Sequence, residues 1–143
     1  MLSLELYRSE DPEYNWMEYL YARSPDSTIR SLTLNVDRGI DDFLFFSELI
    51  DRAFPSLTEL TIMQNYSPKE CPASHFESFL FYRQFRTFVF EDCQSAFVDH
   101  IDFGKIFDSM PNGASYTIKR DRSYRKGSKM MYKNDKKLLI VYK

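Results

Sequence analysis

Cysteine is nearly missing from this chain of 143 residues: Cys71 and Cys93 are the whole supply. Two thiols make no disulfide framework, so a reducing compartment, cytoplasmic or nuclear, is expected. Histidine is equally scarce, at His75 and His100. Neither has ligand-like spacing to a cysteine, so no metal centre is expected. Glycine numbers 4. No glycine-rich phosphate loop can be built from these, and no Ser- or Pro-rich linker divides the chain, so one domain is expected over 1–143. No apolar run reaches the roughly 18 residues that a membrane-spanning helix needs. The opening MLSLELYRSE has neither a basic start nor an apolar stretch, so no secretory signal is expected. No motif pairs either thiol with a histidine base. The adjacent acids Glu91 and Asp92 make a poor acid/base pair, because neighbouring strand residues point to opposite faces. Nothing positive favours catalysis. The expectation is a non-enzyme with no cofactor and no small-molecule substrate.

What the chain does have is an internal period. Leu4, Leu32, Leu60, Phe88 and Tyr116 are spaced by 28 residues. Two residues on, the same step gives Leu6, Leu34, Ile62, Phe90 and Ile118. Three residues before the first column come Ile29, Leu57 and Phe85, where Gly113 breaks the pattern. A fixed period of this size marks a stack of repeated units. Within each unit the apolar residues are two apart, so they share one face of a strand. A single short strand buries too little to stand alone, whereas stacked copies form a parallel sheet over a continuous core.

The segments read MLSLELYRS, IRSLTLNVD, LTELTIMQN, FRTFVFEDC and GASYTIKRD. Their ninth column holds Ser9, Asp37, Asn65, Cys93 and Asp121. This pattern resembles the leucine-rich repeat, L-x-x-L-x-L-x-x-N/C, at the long end of its ~20–29 residue range. Aromatics replace leucines in the fourth and fifth copies, and most of the asparagine column is substituted. The long aromatic repeats look most like the substrate-recognition or F-box-associated part of F-box proteins, although no F-box is present in the chain. The resemblance implies an α/β solenoid: about five strand-helix repeats over 1–122, with a parallel sheet inside and helices outside. It also implies a protein-binding role, as an adaptor or substrate-recognition module in an intracellular complex such as a ubiquitin-ligase assembly.

Helical spacing between the strands predicts four helices. The first has Asp11 at its cap, Pro12 at the first turn, and Trp16, Met17 and Leu20 on one side. The second runs over about 41–53 with Leu44, Leu49, Ile50 and Phe54 inward. The third starts in a capping box, Ser74-His75-Phe76-Glu77, followed by Phe79, Leu80 and Tyr82. The fourth spans about 99–110 through Phe103, Ile106 and Phe107. Phe54, Tyr82 and Met110 are again 28 apart, so the helices are expected to share the strands' register. After Arg122 the period fails. Residues 123–143 read as a small antiparallel β cap: short strands near Lys129–Tyr132 and Leu138–Tyr142, with turn chemistry at Gly127 and Asn134-Asp135. The first strand is left as an open edge, which fits three readings: a piece of a longer protein, an edge that a partner uses, or an edge that Glu5 and Arg8 protect by charge.

Two surfaces are candidates for function. In a leucine-rich repeat the outward strand positions form a concave docking array. Here the candidates are Tyr7, Asn35, Met63, Gln64, Glu91, Asp92, Lys119 and Arg120, with a charge step from Glu91 and Asp92 to Lys119 and Arg120 that could orient a protein partner. A plain solvated sheet face fits the Thr and Val there equally well. The second surface is basic. Residues 114–143 hold ten Lys or Arg against two Asp, a net +8, while the rest of the chain carries −10. Arg122, Arg125, Lys126, Lys129 and Lys133, interleaved with tyrosines, could bind nucleic acid such as RNA, or an acidic partner. They could also be a solvated cap whose lysines guard strand edges.

Overall fold

A computed structural model describes residues 2–6, 16–38, 40, 42–66, 71–92, 96–121 and 126–143. Seven strands form one sheet: β1 (Leu2–Leu6), β2 (Ile29–Arg38), β3 (Glu59–Tyr66), β4 (Thr87–Asp92), β5 (Ser115–Arg120), β6 (Gly127–Lys133) and β7 (Lys136–Tyr142). Their spatial order is β1-β2-β3-β4-β5-β7-β6. All neighbours are parallel except the last pair, β7 and β6, which is antiparallel. The class is α/β. Parallel neighbours need crossover connections. Helices supply the first four, α1 (Trp16–Ala22), α2 (Phe43–Ala53), α3 (Ala73–Arg83) and α4 (Phe103–Ser109), and strand β6 supplies the fifth, between β5 and β7. A 3₁₀ segment, Ala96–His100, precedes α4.

The 28-residue spacing is spatial adjacency. Leu32 pairs with Leu60, Leu60 with Phe88 and Phe88 with Tyr116; Leu34, Ile62, Phe90 and Ile118 pair in the same way. Every one of these side chains is at most 1 % exposed. The columns grow from leucine to phenylalanine along the sheet, and a phenylalanine cluster from the helices meets them. Phe43 on α2 stands edge-on to Phe76 on α3, with ring centroids 5.0 Å apart, and Phe76 lies 5.0 Å from Phe90. Phe85 and Phe88 stack at 5.7 Å. Aromatic contacts of this kind contribute beyond simple burial of area.

The columns run one strand further than the sequence period does. β7 docks parallel to β5, placing Leu138 beside Tyr116 and Ile140 beside Ile118, both buried. The expected antiparallel cap is therefore only its outer half. β5 leads to the edge strand β6, and the chain returns through a two-residue turn at Asn134 and Asp135 to insert β7 between them. Both turn residues have positive φ, 54° and 61°, the requirement of a type I′ hairpin.

The helices depart from the expected register. α2, α3 and α4 begin at Phe43, Ala73 and Phe103, steps of 30 residues against 28 for the strands. The loops absorb the difference. α2 buries Phe43, Phe46, Leu49, Ile50 and Ala53, which follow helical spacing. Leu44 falls off that stripe and is 47 % exposed, contrary to its expected inward position. Tyr82 is likewise outward at 72 %, about 200° around the helix from buried Leu80. The capping box at Ser74 does not form. Pro72 occupies the cap of α3 with no side-chain bond, Ser74 lies inside the first turn, and Glu77 is buried. The caps of α2 and α4 are aspartates: Asp42 accepts from the Phe45 N–H at 3.0 Å and Asp102 from the Lys105 N–H at 3.1 Å. The expected cap at Asp11 and Pro12 lies outside the described residues, as does Cys93; the side chain of Trp16 is not among those described.

Basic side chains tie units together on the helix side. Arg83 bonds the Asp51 carboxylate and donates to the Phe54 and Leu57 carbonyls, closing the C-terminal end of α2. Phe54 caps α2 and Leu57 lies in the loop beyond it, so Arg83 fastens the turn that leads from α2 toward β3.

Candidate functional site

In β4 and β5 burial alternates strictly, half-exposed then buried. The inward set lies in the core with the helices. The outward set forms rows across the sheet, because the strands pair in register. One row runs Ser31, Glu59, Thr87, Ser115 and Lys137; the next Thr33, Thr61, Val89, Thr117 and Leu139; the third Asn35, Met63, Glu91, Lys119 and Val141. All of these are half-exposed. Asn35, Met63, Glu91 and Lys119 thus lie side by side on the open face. Tyr7 lies outside the described residues.

Gln64, Asp92 and Arg120 do not belong to this face. They are 3 %, 0 % and 7 % exposed. The reason is the two-residue side-chain period: each follows an outward residue, so each points inward. Their column is a polar continuation of the core columns. The Gln64 side chain accepts from the Ile40 N–H at 3.0 Å and donates through Nε2 to Asp92 Oδ2 at 2.8 Å. Arg120 donates through Nη1 to the Asp121 carbonyl at 3.1 Å, and its Nη2 lies 3.7 Å from Asp99 Oδ2. These bonds hold the segments that leave the C-terminal ends of β2, β4 and β5. The charge step on the open face is reduced to Glu91 beside Lys119. The signal that separates the two sets was in the sequence: Gln64, Asp92 and Arg120 sit two residues beyond Ile62, Phe90 and Ile118.

The basic set also divides. Lys126, Lys129 and Lys133 are exposed, while Arg122 and Arg125 lie outside the described residues. Lys136 is buried at 8 %. Its Nζ donates to the Phe107 carbonyl at 2.7 Å and lies 4.7 Å over the Phe107 ring, so it fastens the end of α4. Tyr132, 63 % exposed, donates to Asp135 Oδ1 at 3.1 Å, and that carboxylate raises the tyrosine's pKa. Asp26, in the exposed loop before β2, has its pKa lowered by hydrogen bonds from Thr28. Burial pushes the Tyr116 phenol above its ordinary 10.0.

His75 is half-buried on α3, and His100 is exposed at the end of the 3₁₀ segment. The Cys71 thiol is buried, with Sγ 3.6 Å from the Pro72 carbonyl. Among the described residues no group of three His, Cys, Asp or Glu is placed to hold a metal ion, and no helix is long and apolar enough to cross a membrane. No protein-family model matches the chain, and no curated protein or solved structure is significantly similar to it.

Proposed function

We propose that the chain is a non-enzymatic protein-interaction module built on leucine-rich-repeat lines, which holds a partner protein on the open face of its sheet. One observation carries the reading. Residues 28 apart are strand neighbours, so the outward side chains form continuous rows that no single unit could provide. The rows mix hydroxyls, the apolar Met63, Val89, Leu139 and Val141, and the charges Glu59, Glu91, Lys119 and Lys137. Apolar side chains interspersed with hydroxyls and charges give the face about the mixed composition of a non-obligate protein interface. An adaptor or substrate-recognition role in an intracellular complex, such as a ubiquitin-ligase assembly, follows from the resemblance of the repeat.

The test is co-purification from extract with wild-type chain and with Met63→Arg/Glu91→Lys, at two half-exposed positions. The Glu91→Lys change sets a lysine opposite Lys119 and should cost up to about 1 kcal/mol, so urea melts of both chains establish that each is folded under the conditions compared. A partner retained by wild type and lost by the variant is the expected result. Equal recovery refutes the open face as the docking surface. Exposed Lys126, Lys129 and Lys133 support a second reading, an RNA-binding accessory role in which they neutralise phosphates. That reading predicts affinity for single-stranded RNA that falls steeply with salt.

A further inference from the structure

β6 ends the sheet, and among the described residues no strand pairs with its outer side. The hairpin geometry fixes which of its backbone groups face that side. A two-residue turn makes Lys133 and Lys136 a mutually bonded pair. By alternation Met131 and Lys129 also bond to β7, paired with Leu138 and Ile140. The N–H and C=O groups of Ser128, Met130 and Tyr132 therefore point away from the sheet. Their side chains lie on the open face, opposite Val141, Leu139 and Lys137. Met130 is 61 % exposed and Tyr132 63 %. The other face of the edge carries Lys129 and Lys133, with exposed Lys126 just before the strand.

We infer that β6 is a docking edge for an extended acidic peptide, which adds as a further strand with acidic residues beside the lysines and apolar residues beside Met130 and Tyr132. The inference deepens the protein-interaction reading and rests on it. A strand added here bonds Ser128, Met130 and Tyr132 through its backbone, the strand-addition mode of recognition. Side chains next to one another on adjacent strands share a face, so the partner must alternate acidic with apolar. Charge weighs against a second copy. Antiparallel self-pairing about Met131 would set Lys129 directly against Lys133 of the other copy, twice over, and like charges directly opposite are unfavourable. Pairing about Met130 avoids that direct opposition but still brings Lys129 of one copy diagonal to Lys129 and Lys133 of the other. Edge lysines are a common guard against self-association. The guard excludes another basic edge and attracts an acidic one. Nucleic acid is disfavoured because the outward edge offers backbone pairing and an aliphatic Met130, which suit a polypeptide strand.

The probe is a fluorescent peptide of alternating glutamate and valine, about eight residues long, compared with its lysine–valine counterpart. Binding is read by anisotropy on the full chain. The glutamate peptide should bind and the lysine peptide should not. Methylating alternate backbone nitrogens of the glutamate peptide should abolish binding in one phase and spare it in the other, a signature that requires no altered protein. Lys129→Glu/Lys133→Glu, both at exposed positions, should weaken the glutamate peptide about tenfold or more and create affinity for the lysine peptide. Equal binding of both methylated forms overturns strand addition. Tighter binding of a uridine oligonucleotide, lost in the same variant, overturns the choice of a peptide. A dimer by sedimentation that dissociates in Met130→Pro overturns the choice of occupant. An open-face partner that is lost with Met63→Arg/Glu91→Lys but indifferent to Lys129→Glu/Lys133→Glu, with no peptide binding, overturns the edge assignment alone and leaves the protein-interaction reading intact.

Discussion

Tyr116 makes the packed columns measurable through alkaline pH. It is the fifth member of the column that begins at Leu4, 1 % exposed, with its ring edge-on to Phe88 at 5.7 Å. Its hydroxyl makes no hydrogen bond of ordinary geometry. Burial raises its pKa well above 10.0, and the nearby Phe85 backbone offsets only part of that rise. In the unfolded chain the phenol titrates near 10. The sign follows directly. Below pH ~10 both states hold the proton and this group gives no slope. Above it the unfolded state releases the proton while the folded state keeps it, so stability falls by about 1.4 kcal/mol per pH unit. Integrated from pH 8 to pH 11, the loss is about 1.4 kcal/mol. Tyr116→Phe removes the hydroxyl and keeps the ring. At pH 8 the variant should be as stable as wild type or more so, because a buried hydroxyl without a good partner is replaced by hydrogen. At pH 11 the gap in its favour should widen by about 1.4 kcal/mol. With an m-value of about 2 kcal/mol/M, this is a shift of about 0.7 M in the urea midpoint. The other tyrosines, including Tyr132 with its Asp135 contact, titrate alike in both proteins and cancel in the comparison. A gap that stays constant from pH 8 to 11 refutes the placement of this side chain in the core column.

Two further substitutions probe the polar residues that the fold takes inside. Lys136→Met removes a charged donor from the Phe107 and Asp108 carbonyls. It should cost about 1–3 kcal/mol and speed amide exchange in α4, read by urea melts and hydrogen exchange; unchanged protection would mean that the lysine is a passive part of the basic surface. Gln64→Leu removes its bonds to Ile40 and Asp92, at about 1–3 kcal/mol, whereas Met63→Leu one residue earlier should lie within about 0.5 kcal/mol of wild type. Equal midpoints for the two variants would sink the inward assignment of Gln64.

The strands were legible because two independent periods agree on them. Spacing by 28 fixes which residues are neighbours, and spacing by two fixes which face they take. β7 escaped the first period: Leu138 follows Tyr116 by 22 residues, because a hairpin excursion through β6 stands where earlier units have a helix. The helices were less legible. Phe43-Leu44-Phe45-Phe46 is apolar throughout, so no stripe can be read from it alone, and only the packing against Phe76 and Phe79 selects Phe43 and Phe46. The capping box failed at Ser74 because Pro72, fixed in φ, already starts the helix there. Of the open-face residues, Asn35, Met63, Glu91 and Lys119 could be read from the pattern. Gln64, Asp92 and Arg120 were polar, which obscured a placement that alternation dictates.

That alternation ties the proposed docking face to folding. Glu91 and Asp92 are adjacent acids with opposite situations: one half-exposed beside Lys119, the other sealed and bonded to Gln64. A slip of β4 by one residue would exchange them, bringing Glu91 and Val89 inside and turning Phe88, Phe90 and Asp92 out. Phe88 and Phe90 oppose that slip through their buried ring contacts, and Asp92 opposes it through its bond to Gln64. The residues presented on the open face are therefore set by residues buried beneath it. Substitutions in the inward columns should alter binding only together with stability, whereas substitutions in the outward rows can alter binding alone.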